Sequence, residues 1–499
     1  MMRLINVSNE KQEWLSKGYE VFSYDRKKMI EETKADPEWV HFGSGNLFRA
    51  FQAVYCDKLL DQGILEKGII LVGGRSSDLI ERYYRAFDNL HIAVTLKVSG
   101  EVEKRVVGSI AESLKIEDEK RLKEVFTKKS LKTVTFTITE KGYRIDDENP
   151  YFRYIVSFIH ERYSNGAYPL TLSSHDNCSH NGDVLKKVIM HWAKKYDDPE
   201  FIRYIEEKIS FPISMIDKIT PRPDARIAEI LRKDGVEDVD ELDQSFYLNC
   251  FSNAEESEYL VIEDDFRNGR PSWNNVIFTD RETVDKVEKM KVGTCLNPVH
   301  TSLAIYGCLL DHHLIYEEMN DEPLRKLAIH IGYDEGLPVV IDPKIIDPRE
   351  FLDTIINVRL ANPYMPDAPQ RIAMDTSQKI PVRFGETLKA YINKGEDISK
   401  LTYIPLVFAG WLRYLIGIND KGNEFELSSD PMLEELRPIM SVYKLGDTIK
   451  KEDILPILKN DRIFGVDLDE YGLSDKVVSY LNEELKDIGS VRKTLEKYV

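Results

Sequence analysis

Residues that can transfer a proton or hold a carbonyl oxygen are concentrated in the stretch VEKMKVGTCLNPVH, residues 287–300. A lysine can act as an acid or base when burial brings an ammonium pKa towards neutrality, and Lys291 is the candidate here. The amide N–H of Asn297 can stabilise negative charge developing on an oxygen. The imidazole of His300 can orient a neighbouring hydroxyl. Together these residue types suit proton transfer at a carbonyl or alkoxide oxygen.

The spacing of the same residues also fits an ordinary helix. Asn297 and His300, at i and i+3, can share one helix face, and Pro298 suits the first turn of a helix with Asn297 near its cap. Glu288 and Lys291 are likewise three residues apart, as in a surface ion pair. On spacing alone, the catalytic and the purely structural interpretation both stand.

The segment HFGSGNLFRAFQAVY, residues 41–55, has the pattern of a strand, a glycine turn and a helix. The G-x-G spacing is that of a dinucleotide-binding turn, and a helix N-terminus behind it favours a pyrophosphate. We therefore predict cofactor contacts at Gly43, Gly45, Asn46, Leu47 and Phe48. Phe48 occupies the usual third glycine position, so it needs looser helix packing or faces the cofactor itself. The alternative is a tight turn that needs glycine only for its backbone angles.

The next strand ends in VGGRSSD, where a dinucleotide fold places the residue that reads the adenosine ribose. An acidic residue there favours NAD, whereas Arg75 with the serines after it can accept the 2′-phosphate of NADP. Arg75 also suits a surface position, or stacking on the adenine of either cofactor. We predict a nicotinamide cofactor, NAD first and NADP as the alternative.

Strand-like and helix-like segments alternate from about residue 37 to residue 282, which predicts βαβ units and a mostly parallel sheet. LHIAVTLKVSG and EVEKRVVGSI are predicted to form a hairpin. From residue 283 the period is helical and strand-like runs nearly vanish. The predicted fold class is α/β: a Rossmann-type dinucleotide-binding domain with an N-terminal extension, residues 1–282, then a mainly α-helical substrate domain, residues 283–499. The active site is expected between the two domains.

Composition excludes several classes of function. The net charge of −18 disfavours nucleic-acid binding, which needs a basic surface. We expect no membrane span, because no apolar run is long enough, and the N-terminus is too polar for a signal peptide. The five cysteines form no CxxC pair, which favours a reducing compartment. We expect a cytoplasmic monomer or small homo-oligomer that acts on a small molecule.

Several longer motifs follow one another along the chain. They are HFGSGNLFRAFQAVY, TITEKGY (137–143), SSHDNCSHNG (173–182), SMIDKITPRP (214–223), IEDDFRNGRP, KMKVGTCLNPVHTSLA and RIAMDTSQK. In these motifs the chain resembles the long-chain polyol dehydrogenase, or mannitol dehydrogenase, family from about residue 37 to at least residue 420. Several motifs in one order are far more specific than the glycine turn alone.

The resemblance implies a role for each matching residue. Lys291 would be the general acid/base, Asn297 the carbonyl-polarising asparagine and His300 the histidine that orients the substrate. The other matching positions are Asn177 of the D-N motif, Asp217 of the D-[RK]-I-T-P motif, the proton-channel glutamate Glu288, the substrate-contacting Arg371 and Lys379, and the cofactor contact Glu140.

One spacing departs from the family pattern. Five residues separate Lys291 from Asn297, where the family commonly has four, so strict counting would place the lysine at Val292. The Glu288–Lys291 spacing is kept, which favours Lys291 with a local insertion. Lys289 is the alternative.

The resemblance also implies chemistry without a metal, because a positioned lysine replaces a Lewis-acid zinc. The motif DHHL at 311–314 is a weak zinc candidate, since adjacent side chains point to different helix faces. Activity is therefore expected to survive exhaustive chelation.

Within the family, CLNPVHTSLAIYGCLL and MPDAPQRIAMDTSQKIPVRFGETLKAY are most similar to fructuronate reductases. This implies reversible reduction of D-fructuronate to D-mannonate by hydride transfer. Arg371, Lys379 and Arg383 would form a basic cluster for the carboxylate, although Arg383 suits a domain-bridging ion pair equally well.

Tagaturonate reductase and mannitol 2-dehydrogenase, with fructose and mannitol, are the alternatives. A catalytically silent nucleotide-binding regulatory protein on the same fold is the alternative of a different class, which the retained lysine, asparagines and histidine disfavour.

Overall fold

The computed structural model describes residues 2–74, 77–145, 150–240 and 248–499. Arg75, one of the predicted cofactor residues, lies outside the described residues. The chain forms two compact units, residues 1–285 and 286–499.

The named strands of the described chain all belong to the N-terminal unit. They are β1 (Tyr19–Val21), β2 (Trp39–Phe42), β3 (Ile69–Val72), β4 (His91–Leu96), β5 (Val102–Val107), β6 (Ile110–Leu114), β7 (Thr133–Phe136), β8 (Leu170–Ser174), β9 (Ile209–Ser210), β10 (Ser214–Asp217), β11 (Phe251–Glu255), β12 (Tyr259–Glu263) and β13 (Ile277–Thr279).

The main sheet is parallel throughout, with the strand order β6-β3-β2-β7-β8-β9. Numbered as the chain enters this sheet, the order is 3-2-1-4-5-6, which is that of dinucleotide-binding folds. Side chains alternate between the two faces: Val40 and Phe42 pack into one hydrophobic core and Trp39 into the other. Both faces are buried, and the strands are mostly apolar, with buried serine and threonine side chains among the hydrophobic ones.

Two smaller sheets complete this unit, with the orders β1-β5-β4-β11 and β10-β12-β13. Strands β4 and β5 are antiparallel, which confirms the predicted hairpin. Strand β1, from the N-terminal extension, pairs in parallel with β5 and ties the extension to this sheet.

Helices cover both faces of the main sheet. Helices α5 to α8 contribute to one core and α2 to α4 to the other. The helices that begin in this unit are α1 (Lys11–Ser16), α2 (Arg26–Ala35), α3 (Ala53–Asp61), α4 (Ser77–Tyr83), α5 (Glu119–Thr127), α6 (Tyr151–Ser164), α7 (Asn181–Ala193), α8 (Pro199–Lys208), α9 (Ala225–Asp234) and α10 (Arg281–Met290).

The C-terminal unit is helical. Its helices are α11 (Asn297–Leu310), α12 (Ile315–Met319), α13 (Glu322–Ile329), α14 (Pro348–Thr354), α15 (Pro369–Ile372), α16 (Thr376–Ile380), α17 (Glu386–Asn393), α18 (Tyr403–Leu415), α19 (Leu433–Met440), α20 (Lys451–Leu458), α21 (Asp461–Phe464), α22 (Ser474–Leu485) and α23 (Ser490–Tyr498).

Helices α11 and α18 form the centre of this unit. Both are apolar around most of their circumference, as expected for buried helices, and they pack against each other. The hydroxyl of Tyr306 on α11 donates to Glu484 on α22 at 2.6 Å. The carboxylate of Glu335 caps α18 by accepting backbone N–H groups at its start. The first turn of α11 contains two of the predicted site residues, Asn297 and His300.

Several helices of the described chain contain a π turn, in which the backbone hydrogen bond spans five residues instead of four. Three of these turns carry residues singled out from the sequence: Phe48–Gln52, Lys291–Cys295 and Pro381–Gly385. Turns of this kind are frequent at functional sites.

The predicted fold class is confirmed, with a Rossmann-type parallel sheet followed by a mainly helical unit. Across the described residues, every helix is too short or too polar to cross a membrane.

Candidate active site

The glycine turn after β2 needs its two glycines for different reasons. Gly43 has a φ of 124°, and a Cβ added to it would lie 2.2 Å from the carbonyl oxygen of Thr137. Only glycine fits there. Around Gly45, by contrast, no described heavy atom lies within 4 Å of an added Cβ. Gly43 lets the turn close against β7, and Gly45 leaves room in front of the helix for a ligand such as a pyrophosphate.

Phe48, in place of the usual third glycine, is packed inside the unit. Its ring is fully buried and stacks on the imidazole of His41 with the centroids 4.2 Å apart. The ring therefore does not face the open side of the turn, and a cofactor contact stays a prediction for the backbone N–H alone. Asn46 and Leu47, the two residues before Phe48, are partly exposed.

The carboxyl ends of β2, β7 and β8 bring further predicted residues to one edge of the main sheet. Glu140 is exposed and begins a 3-10 turn after β7. Asn177 is exposed, three residues beyond the end of β8. Asp217 is the buried last residue of β10, which belongs to the three-stranded sheet.

Lys291 begins the π turn Lys291–Cys295, directly after α10. The N–H of Leu296 donates to the carbonyl of Lys291 at 3.0 Å, across five residues. Such a turn holds one residue more than an α-helical turn, which matches the one-residue excess before Asn297. The side chain of Lys291 is buried, with 4% exposure, whereas Lys289 is exposed and Glu288 is partly exposed.

The first turn of α11 presents Asn297 and His300. Thr301, the next residue along, donates its hydroxyl to the carbonyl of Asn297 at 2.8 Å. The Nε2 atom of His300 lies 2.9 Å from Oδ2 of Asp367, and the guanidinium of Arg371 contacts the other oxygen of that carboxylate. Asp367 therefore connects the predicted substrate-orienting histidine to one of the two predicted substrate-contacting cations.

The carboxyl of Asp367 is ionised in this arrangement. Burial pushes its pKa upward, but the close contact with His300 and the charge of Arg371 lower it to about 2. Sequence reasoning missed Asp367. Its spacing of four from Arg371 was the available signal for an ion pair, although Asp367 precedes α15 and is not helical itself. Nothing local connected Asp367 with His300.

Lys379 and Arg383 form a second cationic group beside α11. The guanidinium of Arg383 donates to the hydroxyl of Thr301, and the ammonium of Lys379 donates to the carbonyl of Ile372 at 3.0 Å. Burial, with the charge of Arg383 adding to it, lowers the pKa of Lys379 to about 8. Burial also lowers the pKa of Arg383 to about 10, so it stays charged at neutral pH. Within the described part of the chain, no carboxylate pairs with Arg383.

The predicted residues thus form two groups, one in each unit. In the N-terminal unit the glycine turn, Glu140 and Asn177 share one edge of the main sheet. In the C-terminal unit, the first turn of α11 is connected to Arg371 through Asp367 and to Arg383 through Thr301. Lys379 lies near Arg383, whose charge lowers the pKa of Lys379.

The first histidine of the DHHL motif has a structural partner, and the second is exposed. His312 lies 3.2 Å from Asp321, which also pairs with Arg492. The described residues contain no group of three or more His, Cys, Asp or Glu side chains arranged to hold a metal ion.

Comparison with known proteins places both units in one family. Residues 37–275 match the mannitol dehydrogenase Rossmann domain, and residues 283–488 match the mannitol dehydrogenase C-terminal domain. A curated relative, D-mannonate oxidoreductase of Thermotoga maritima, is 44% identical over 97% of each chain.

Solved structures are similar along nearly the whole chain. A substrate-free D-sorbitol dehydrogenase has a TM-score of 0.80 at 26% identity, covering 96% of this chain and 97% of its own. Mannitol 2-dehydrogenase of Pseudomonas fluorescens, in ternary complex with NAD and D-mannitol, has a TM-score of 0.69 at 27% identity and covers 96% of both chains.

Proposed function

Because the chain belongs to the mannitol dehydrogenase family of oxidoreductases, we propose that it reversibly reduces the ketone of D-fructuronate to the secondary alcohol of D-mannonate, with NAD or NADP. The name of the Thermotoga maritima relative supports mannonate as the alcohol. D-Tagaturonate, and D-fructose with mannitol, are the alternative substrates.

The observation that carries the choice of a uronate is the cation pair beside α11. Lys379 and Arg383 repel each other strongly enough to help lower the pKa of Lys379 to about 8, after the larger effect of burial. A bound carboxylate would relieve that repulsion, and a guanidinium reads a carboxylate through paired hydrogen bonds. Through Thr301, Arg383 is joined to the turn that presents Asn297 and His300. A polyol carries no charge and gains nothing from this pair.

The glycine turn suits the pyrophosphate of a nicotinamide dinucleotide. The space in front of Gly45 is open, and the backbone N–H groups of Asn46, Leu47 and Phe48 begin the helix behind it. When bound, this cofactor supplies or accepts the hydride. Arg75 and Glu140 are proposed as further contacts from the family resemblance.

In the reduction, Lys291 as an ammonium donates a proton to the carbonyl oxygen while hydride reaches the carbonyl carbon. Asn297, assisted by Asn177, donates amide N–H groups to that oxygen as negative charge builds, and removal of one such donor typically costs roughly 2.7–4 kcal/mol. His300 holds a neighbouring substrate hydroxyl. Glu288 returns a proton from water to Lys291, and Asp217 is proposed to support the lysine or bind a substrate hydroxyl.

Initial rates of NADH and NADPH oxidation with D-fructuronate, D-tagaturonate and D-fructose at matched concentrations test this function. A kcat/KM for D-fructuronate that exceeds the others by orders of magnitude is expected. If D-fructose gives the highest value, the enzyme is a polyol dehydrogenase. If the protein binds NADH but reduces none of the three, the silent nucleotide-binding alternative replaces the proposal.

The two glycines of the turn should respond differently to alanine. Gly43→Ala is expected to destabilise the protein by roughly 1–3 kcal/mol, because its φ of 124° and the contact with Thr137 exclude a side chain. Gly45→Ala should leave the melting temperature of the ligand-free protein unchanged and weaken NADH binding about tenfold or more. Thermal melting and NADH titration of both variants check this. Unaltered NADH affinity in Gly45→Ala would argue that the turn has a structural role only.

Lys379 should make the preference for the uronate depend on pH. Its pKa is lowered to about 8, chiefly by burial, so the ammonium charge is lost as the pH rises through that value. The ratio of kcat/KM for D-fructuronate to that for D-fructose should therefore fall above about pH 8, while groups common to both reactions cancel in the ratio. Lys379→Gln should flatten this dependence. An identical fall in that variant would assign the titration to another group.

A further inference from the structure

The strand order of the main sheet reverses at one place, between β2 and β7. Such a switch point opens a crevice beyond the carboxyl ends of the two strands, where open α/β sheets bind their ligands. One wall is the glycine turn after β2, and the other is the segment 137–143 after β7. The walls lie close together, because the carbonyl oxygen of Thr137 is 2.2 Å from the position of a Cβ on Gly43.

In the second wall, Thr139 has a backbone conformation that threonine rarely adopts. Its φ is 66° and its ψ is 157°, in a region used essentially by glycine. The residue is exposed, so burial of its own side chain does not keep it there. A strained backbone of this kind persists only where neighbouring groups hold it.

The carboxylate of Asp176 holds Thr139 in this conformation. Oδ1 accepts the N–H of Thr139 at 2.8 Å, and Oδ2 accepts the N–H of Ile138 at 3.0 Å. Oδ2 also accepts the hydroxyl of Tyr143 at 2.6 Å, at the far end of the segment. Asp176 is 4% exposed, so these hydrogen bonds are shielded from competition with water.

The backbone of Asp176 is fixed as well. Its carbonyl accepts the N–H of Cys178 at 2.9 Å and the side-chain amide of Asn181 at 2.9 Å. These bonds fix the chain on both sides of Asn177, the second asparagine of the proposed mechanism. One residue thereby connects the wall of the crevice to the loop that presents Asn177.

We propose that Asp176 is a positioning residue for cofactor binding: its carboxylate keeps the 138–143 segment in the shape that the nicotinamide dinucleotide requires at the switch point. The inference rests on the proposed cofactor. Without the carboxylate, Thr139 relaxes to a negative φ, and the backbone at the entrance of the crevice turns to a different orientation. Asp176 itself contacts no reacting atom.

NADH titration by fluorescence, together with thermal melting of the ligand-free protein, tests this in Asp176→Asn, Thr139→Gly and the double variant. Asparagine keeps the size of the side chain but offers one acceptor oxygen instead of two, so Asp176→Asn should bind NADH about 10- to 100-fold more weakly. Glycine adopts the conformation of Thr139 without strain. In the Thr139→Gly background, Asp176→Asn should therefore weaken NADH binding at least tenfold less than it does in the wild-type background. Asp197→Asn, at an exposed position, is the matched control.

The outcomes separate this inference from the cofactor proposal. Wild-type protein that binds neither NADH nor NADPH contradicts the cofactor and overturns the inference with it. Wild-type binding with unchanged affinity in Asp176→Asn overturns the inference alone, as does an equal loss of affinity in the Thr139→Gly background. If Asp176→Asn does not fold, the inference requires the double variant to fold and bind. A double variant that also fails to fold would assign Asp176 to the stability of the unit and reject the proposal.

Discussion

Lys291→Ala is expected to lower kcat for the reduction of D-fructuronate by roughly 10²–10⁴-fold, the usual contribution of a positioned general acid. The carbonyl oxygen would then have to take its proton from water, at a place where the lysine side chain is now 4% exposed. NADH affinity and the melting temperature should change little, because the loss concerns the transition state. Stopped-flow measurement of NADH oxidation at saturating substrate measures the effect.

Lys289→Ala is the matched control. Lys289 lies two residues earlier and is exposed, so its removal should alter kcat by less than about twofold. If Lys291→Ala keeps most of its turnover while Lys289→Ala loses it, the catalytic lysine is Lys289 and the assignment is wrong. Exogenous alkylamines offer a second test, because they should restore part of the activity of Lys291→Ala if a missing proton donor is its defect.

Arg383→Gln should lower kcat/KM for D-fructuronate by roughly 30- to 150-fold, as expected for losing a hydrogen-bonded charge partner worth about 2–3 kcal/mol. The value for D-fructose should stay within about threefold of the wild type, since fructose has no carboxylate. The decisive result is therefore the difference between the loss of kcat/KM for D-fructuronate and the loss for D-fructose. Equal losses for both would show that Arg383 supports α11 through Thr301 and does not read the substrate.

Two further variants separate charge from structure at this position. Thr301→Val removes the hydroxyl that accepts from Arg383 but keeps the guanidinium, so it should cost less uronate activity than Arg383→Gln. Arg462→Gln removes an exposed arginine from α21 and should leave both substrates unaffected. Arg371→Gln should also cost less than Arg383→Gln, because Arg371 is already paired with Asp367.

The fold could be predicted from the sequence where the pattern is local. Apolar strands such as β2 and β3 and the glycine turn follow from burial on both faces and from backbone angles that glycine alone adopts. The sequence also showed that Phe48 replaces the third glycine of the dinucleotide-binding pattern. The way the fold accommodates Phe48 could not be predicted, because the stacking on His41 depends on how the helix lies against the sheet.

The candidate site was less predictable where contacts join distant segments. Asp367 lies 2.9 Å from His300 only because α15 packs on α11. The contact between Arg383 and Thr301 likewise joins a π turn to another helix. Residue type and spacing identified the candidates for chemistry, and tertiary packing decided which of them are partnered.

The π turn at Lys291–Cys295 has a consequence for helical phase. One residue inserted into an α-helix rotates all that follows by about 100° around the axis. A π turn takes up the additional residue locally, so the faces before and after it keep their angular relation. The turn lies between α10 and α11, so the additional residue need not displace Glu288, on α10, or Asn297, at the start of α11. We therefore expect relatives to share the spatial arrangement of the lysine and the asparagine, and not the number of residues between them.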